Sequence, residues 1–162
     1  MSLEIETHIK SFLGRHAIIH EWLTINPDFA DTASFCQEYG YSLSESGNTI
    51  IVASKRGEKK YAACLVLASD KLNVNKKVKS LMNVSRLSFA NSEETMTLTG
   101  MLIGGVTPFG LPESVNLYID SKVLNTEKII LGGGSRSAKI LLPPDELKKI
   151  PKVEIIKDLS IN

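Results

Sequence analysis

Apolar residues Leu3, Ile5, Ile9, Phe12 and Leu13 recur at mostly helical spacing, which predicts an amphipathic helix over residues 3–13 with Gly14 as its C-terminal stop. Residues 16–23 then read as a short strand. Asn26-Pro27-Asp28 forms a turn that also caps a second helix over residues 29–39, ended by Gly40. Two β-branched, apolar runs, 48–54 and 59–68, flank the turn at residues 55–58 and predict a β-hairpin. Residues 73–81 read as a basic helix, 84–89 is ambiguous, and Ser92-Glu93-Glu94-Thr95 opens another short helix. Later strands fall at 115–119, 127–131 and 139–142, and residues 143–147 open a short helix with proline in its first turn.

These elements lack the regular βαβ alternation of a doubly wound sheet, and several strands are joined by hairpin-length turns. The pattern predicts an α+β fold around a mixed or antiparallel, partly closed sheet. A length of 162 residues fits one domain over 1–162. The longest apolar runs, 49–53 and 62–68, fall far short of the roughly 20 residues a transmembrane helix needs. Glu4 and Glu6 stand where an export signal would carry a basic start before an apolar core, so a cytoplasmic protein is expected.

The formal net charge of +1 hides an asymmetry: residues 1–54 sum to −5, residues 55–86 to +7 and residues 87–162 to −1. A strongly basic block in a near-neutral chain is the footprint expected where phosphates are held, and equally that of a solvated hairpin turn and helix face. Tyr61 is the only aromatic in that block, which favours phosphate holding over base stacking. Cys36 and Cys64 have no CxxC partner and sit in apolar patterns, so both read as buried structural thiols. His8, His16 and His20 lack any HxxxH or HExxH spacing, and neither a metal nor another cofactor is expected.

Two glycine-rich loops carry the remaining chemistry, Gly100 to Gly110 and Gly132-Gly133-Gly134-Ser135-Arg136-Ser137. Neither matches GxxxxGK[ST], and the second runs from strand to strand rather than opening a helix, so nucleotide fingerprints are excluded. Taken separately, each loop reads as a tight turn. Together with the basic block, they describe a pocket of main-chain N–H donors suited to an oxyanion or a small polar acyl group. No GxSxG elbow supports a nucleophilic triad.

The run Leu98-Thr99-Gly100, then 104–110, then Leu117-Tyr118-Ile119-Asp120, then Leu131-Gly132-Gly133-Gly134-Ser135-Arg136 resembles the YbaK/ProX family of aminoacyl-tRNA deacylases. These are free-standing relatives of the prolyl-tRNA synthetase editing domain. Thr49-Ile50-Ile51-Val52 and Ala68-Ser69-Asp70-Lys71-Leu72-Asn73 fit the same pattern, so the resemblance covers nearly the whole chain. It implies a barrel-like mixed sheet and metal-free hydrolysis of a mischarged aminoacyl ester, with a tRNA hydroxyl assisting a water. The tRNA acceptor end, and an aminoacyl-tRNA synthetase, are the implied partners.

On this resemblance Asn48, Thr107, Gly133 and Gly134 are expected to polarise the ester. Trp22, Thr49, Gly104, Gly105, Pro108, Phe109, Gly132, Ser135, Arg136 and Lys139 are expected to bind the substrate. Lys55, Arg56, Lys59, Lys60, Lys76, Lys77 and Lys79 are expected to hold tRNA. The family commonly has lysine where this chain has Asn48, and some members have aspartate at the position of Lys139. Loss of a cation at 48 and gain of one at 139 would compensate if both side chains face one pocket; an ordinary exposed strand lysine is the alternative. A silent tRNA-binding module, its chemistry lost with the lysine, is the alternative function. Trp22 stands either where relatives place a pocket tyrosine or as a core or lid residue.

Overall fold

The computed structural model describes residues 2–161. The first helix, α1 (Ser2–Arg15), buries Ile5, Ile9, Phe12 and Leu13 on one stripe. Each such burial stabilises by about 1.5–3 kcal/mol, so the stripe fixes the helix on the sheets. The helix runs through Gly14 rather than stopping there. Its terminus is a Schellman turn: the Ile18 N–H donates to the Leu13 carbonyl at 3.0 Å and the Ala17 N–H to the Gly14 carbonyl at 3.2 Å. Ala17 takes the left-handed conformation at φ 52°, held by burial of Leu13 and Ile18 on either side of the turn. That turn occupies the start of the expected strand, and β1 is confined to Glu21–Thr24.

The Asn26 side chain accepts from the Asp28 N–H at 2.9 Å and caps a 3-10 turn, Pro27–Phe29, so α2 begins only at Thr32–Tyr39. Gly40 ends α2 at φ 79°. Then come β2 (Gly47–Ser54), β3 (Tyr61–Leu67), β4 (Lys71–Leu72), α3 (Lys79–Met82), β5 (Leu87–Phe89) and α4 (Ser92–Thr99). The chain continues through β6 (Asn116–Asp120), β7 (Ile129–Gly132), β8 (Ala138–Leu142), β9 (Glu154–Ile156) and β10 (Ser160–Ile161). The basic helix is a widened π turn, Val74–Val78, running into the single turn of α3, with Val78 and Met82 inward. The expected short helix at 143–147 is a 3-10 turn, Pro144–Lys149, with Pro143 as its N-cap.

The hairpin β2/β3 is antiparallel, β5 adds antiparallel to β2, and β6 and β9 follow parallel to β3, in the order β5-β2-β3-β6-β9. A second sheet, β1-β8-β7, and the pair β10-β4 complete the strands. The architecture is the expected α+β, but the sheets do not close into a barrel. They meet through one parallel bridge, Ser46 to Ile130, which sets the start of β2 beside β7. Most of the core lies between α1 and the two sheets, and a second cluster, with Val52, Cys64, Val66 and Tyr118, fills the opposite face of the five-stranded sheet.

Candidate functional site

The Ser46–Ile130 bridge brings together four segments that are far apart in sequence. The start of β2, the 30–32 segment, the 103–106 loop and the facing ends of β7 and β8 enclose a cleft of about 230 Å³. Asn48, Thr49, Gly104, Gly132 and Lys139 line it, joined by Asp31, Thr32, Gly47, Ile50, Ile103 and Val106, which the sequence reading missed. The two glycine loops pack back to back beneath it. A Cβ at Gly104, where φ is 90°, would lie 2.6 Å from Arg136 Nη1; one at Gly132 would lie 2.6 Å from the Val106 oxygen; one at Gly105 would strike the Ser135 backbone.

Lys139 is 5% exposed, which overturns the reading of it as an ordinary surface residue. Its ammonium donates to the Ala30 carbonyl at 2.7 Å and the Gly104 carbonyl at 3.3 Å, and sits 5.2 Å from the centre of the Phe35 ring. It therefore ties two walls of the cleft together. Burial pulls its pKa down to about 8, against smaller upward pulls from Cys36 and Asp31. Asn48 Oδ1 accepts from the Thr32 hydroxyl at 2.6 Å, so its amide N–H₂ remains the group on offer. The Thr49 hydroxyl is buried with no partner among the described residues. Three residues with side-chain donors, Asn48, Thr49 and Lys139, thus line one small cleft.

Other expected site residues lie elsewhere. The Gly133 N–H donates to the Ala138 carbonyl at 3.1 Å and the Gly134 N–H to the Gly105 carbonyl at 2.6 Å, so these amides hold the loops together and do not face a ligand. Phe109 is fully buried in the main core, and Pro108 borders a separate hollow near His8 and Phe12. Thr107 is fully buried, its hydroxyl unpartnered among the described residues, and is not part of the cleft lining. The Ser135 hydroxyl donates to Glu6 at 2.6 Å. Arg136 donates to the Ile103 carbonyl at 2.9 Å, the Pro27 carbonyl at 3.1 Å and Asp31 at 3.2 Å, and so acts as a strap behind the cleft. Trp22 packs against the main core with the Lys10 ammonium 4.5 Å from its ring, the core alternative of the sequence reading.

The cations of the basic block divide. Lys55, Arg56, Lys59 and Lys60 crowd the hairpin turn at the far end of β2, some 20 Å along the strand from Asn48. Lys76, Lys77 and Lys79 belong to the π turn and α3. Lys59 approaches Glu94 at 3.8 Å; the other six have no ion-pair partner among the described residues. Cys36 lies 3.1 Å from the Ser46 hydroxyl, and burial pushes the Cys64 thiol up to about 12. No group of three His, Cys, Asp or Glu side chains among the described residues is placed to hold a metal, and no described helix is long and apolar enough to cross a membrane.

The chain is 32% identical over 150 residues to the uncharacterized protein YwhH of Bacillus subtilis (strain 168), covering 92% of this chain and 90% of that one. Over 77 residues, 48% of this chain, it is 31% identical to a proline–tRNA ligase of Caldicellulosiruptor saccharolyticus, a stretch that makes up only 13% of the ligase. The fold matches the crystal structure of a candidate trans-editing enzyme for prolyl tRNA synthetase with a TM-score of 0.82 at 21% identity, covering 98% of each chain. The model of the aminoacyl-tRNA editing domain matches residues 26–150, and the chain belongs to that family.

Proposed function

We propose that this protein is a trans-acting deacylase that hydrolyses the ester of a mischarged aminoacyl-tRNA, the aminoacyl group entering the cleft between β2 and the glycine loops. The observation that carries the reading is that Asn48 and Lys139 line one cleft, so the cation missing at 48 is supplied from β8. In the reaction a water oxygen bonds to the ester carbonyl carbon, the bond to the ribose oxygen breaks, and that oxygen takes a proton. Negative charge builds on the carbonyl oxygen in between. Two N–H bonds of the Lys139 ammonium are committed to Ala30 and Gly104, which leaves the third for this oxygen. The Asn48 amide and the Thr49 hydroxyl supply further donors. Phosphates of the acceptor end lie along the unpaired lysines of the basic block.

The test is amino-acid release from alanyl-, cysteinyl-, seryl- and threonyl-tRNA in the presence of a chelator. Release by the native protein, cut by about 10²-fold or more in a Lys139→Met variant, is the expected result. Silence across the panel with retained tRNA binding, and release restored by Asn48→Lys, would instead identify a tRNA-binding module without turnover. Asn48 is the observation that keeps this second reading in play.

A further inference from the structure

A second and larger hollow, about 670 Å³, opens beside the edge strand β5 and is lined by Leu72, Asn73, Asn75, Lys76, Ser88 and Phe89, among others. Phe89 is 61% exposed, the most exposed aromatic ring among the described residues. It stands opposite Val52 in the β2/β5 register, and directly opposed residues share a face. Alternation along β2 places Val52, Ile50 and Asn48 on that same face. Ile50 and Asn48 belong to the cleft. Phe89 is therefore reached from Ile50 by about 7 Å along β2 and about 5 Å across to β5. Lys76 lines the hollow, and Lys71, Lys77 and Arg86 flank it in sequence, none with an ion-pair partner among the described residues.

An exposed ring, unpaired cations and amide side chains together match the chemistry of an unpaired nucleotide: a base with a flat face, a phosphate and polar base edges. We infer that this hollow is a stacking site for a base of the single-stranded 3′ end of tRNA, with Phe89 as the platform and Lys76 on the phosphate. The inference rests on the deacylase reading for the orientation of the strand, whose terminal ester would lie in the cleft one short step along β2. The basic block read alone disfavours stacking because Tyr61 is its only aromatic; the fold brings in Phe89 from just outside it.

The probe is an uncharged acceptor-stem RNA hairpin with its unpaired 3′ end, compared with the same hairpin trimmed blunt. Phe89→Ala is expected to weaken binding of the overhanging RNA about tenfold and leave the blunt RNA unchanged, with Phe89→Tyr restoring the difference. Lys76→Ala should weaken both. Equal affinities of native protein and Phe89→Ala for the overhanging RNA would overturn the inference, as would equal losses on both RNAs. Deacylation measured alongside separates the two proposals. Ester release unaffected by Phe89→Ala, together with unchanged RNA affinity, sinks the stacking site alone. Absence of release with an intact overhang-dependent Phe89 effect sinks the hydrolase alone.

Discussion

Lys139 should move stability and activity of the native protein in opposite directions with pH, and replacing it by methionine should remove the stability change. The Lys139 proton leaves at about 8 in the folded chain and at the ordinary 10.5 in the unfolded one. Between those values the unfolded chain still holds a proton that the folded chain has lost, so stability rises with pH across that window. Integrated from about pH 7 to about pH 10, this one group adds about 2–3 kcal/mol to the native protein. Below 8 the buried ammonium is a cost to the fold, against which stand its charged hydrogen bonds to Ala30 and Gly104. Methionine fills a similar volume without a charge, and its stability curve lacks the rise. The assay is urea unfolding of both proteins at several pH values, and the difference between the two curves isolates Lys139 from every other titrating group. On the proposed deacylase reading catalysis uses the ammonium, so native kcat/KM should fall above about pH 8 while stability climbs. Parallel stability curves, or wild-type deacylation by Lys139→Met, would refute the assignment.

Gly105→Ala drives a Cβ into the Ser135 backbone and should cost about 1–3 kcal/mol, whereas Gly14→Ala, with nothing within 4 Å in a helix, should gain about 0.5–1 kcal/mol. Denaturant midpoints of the two variants check the contrast. Thr49→Val removes a buried hydroxyl that has no partner among the described residues, so stability should hold or rise by about 1 kcal/mol while deacylation drops. Cys64, its thiol held up near 12, should resist alkylation at about pH 8 until denaturant is added, as read by mass spectrometry. Charge reversal at Lys76, Lys77 and Lys79 should weaken tRNA binding and flatten its dependence on salt; unchanged affinity would remove that surface from the interface.

Periodicity made α1, the hairpin and most strands legible because each buries a continuous stripe or face. Two-residue strands such as β4 and β10 have too few positions to show a period, and Ala17 ends α1 through packing of its neighbours where a glycine signal stood one turn earlier. At the cleft, motif membership picked out the right loops but gave no directions. Thr107 and Phe109 sit in the same loop as Gly104, yet lie in the interior. Asp31, Thr32 and Ile103 carry no motif and reach the cleft only because the Arg136 strap and the Ser46–Ile130 bridge draw their segments inward. For Lys139 the sequence left a pocket cation and an exposed strand lysine both open, and the register of β8 beside Gly132, with its burial, decides for the pocket.

The interlocked glycines at 104, 105 and 132 constrain how such a cleft can change over generations. At Gly105 and Gly132 its floor is backbone pressed against backbone, and at Gly104 the Arg136 guanidinium fills the space a side chain would need, so substitution there cannot adjust fit gradually. Thr32, Ile50, Ile103 and Val106 stand on the walls and can each grow or shrink without moving the floor. Divergence toward a new acyl group should therefore be written in those four positions, over a base that descends unchanged.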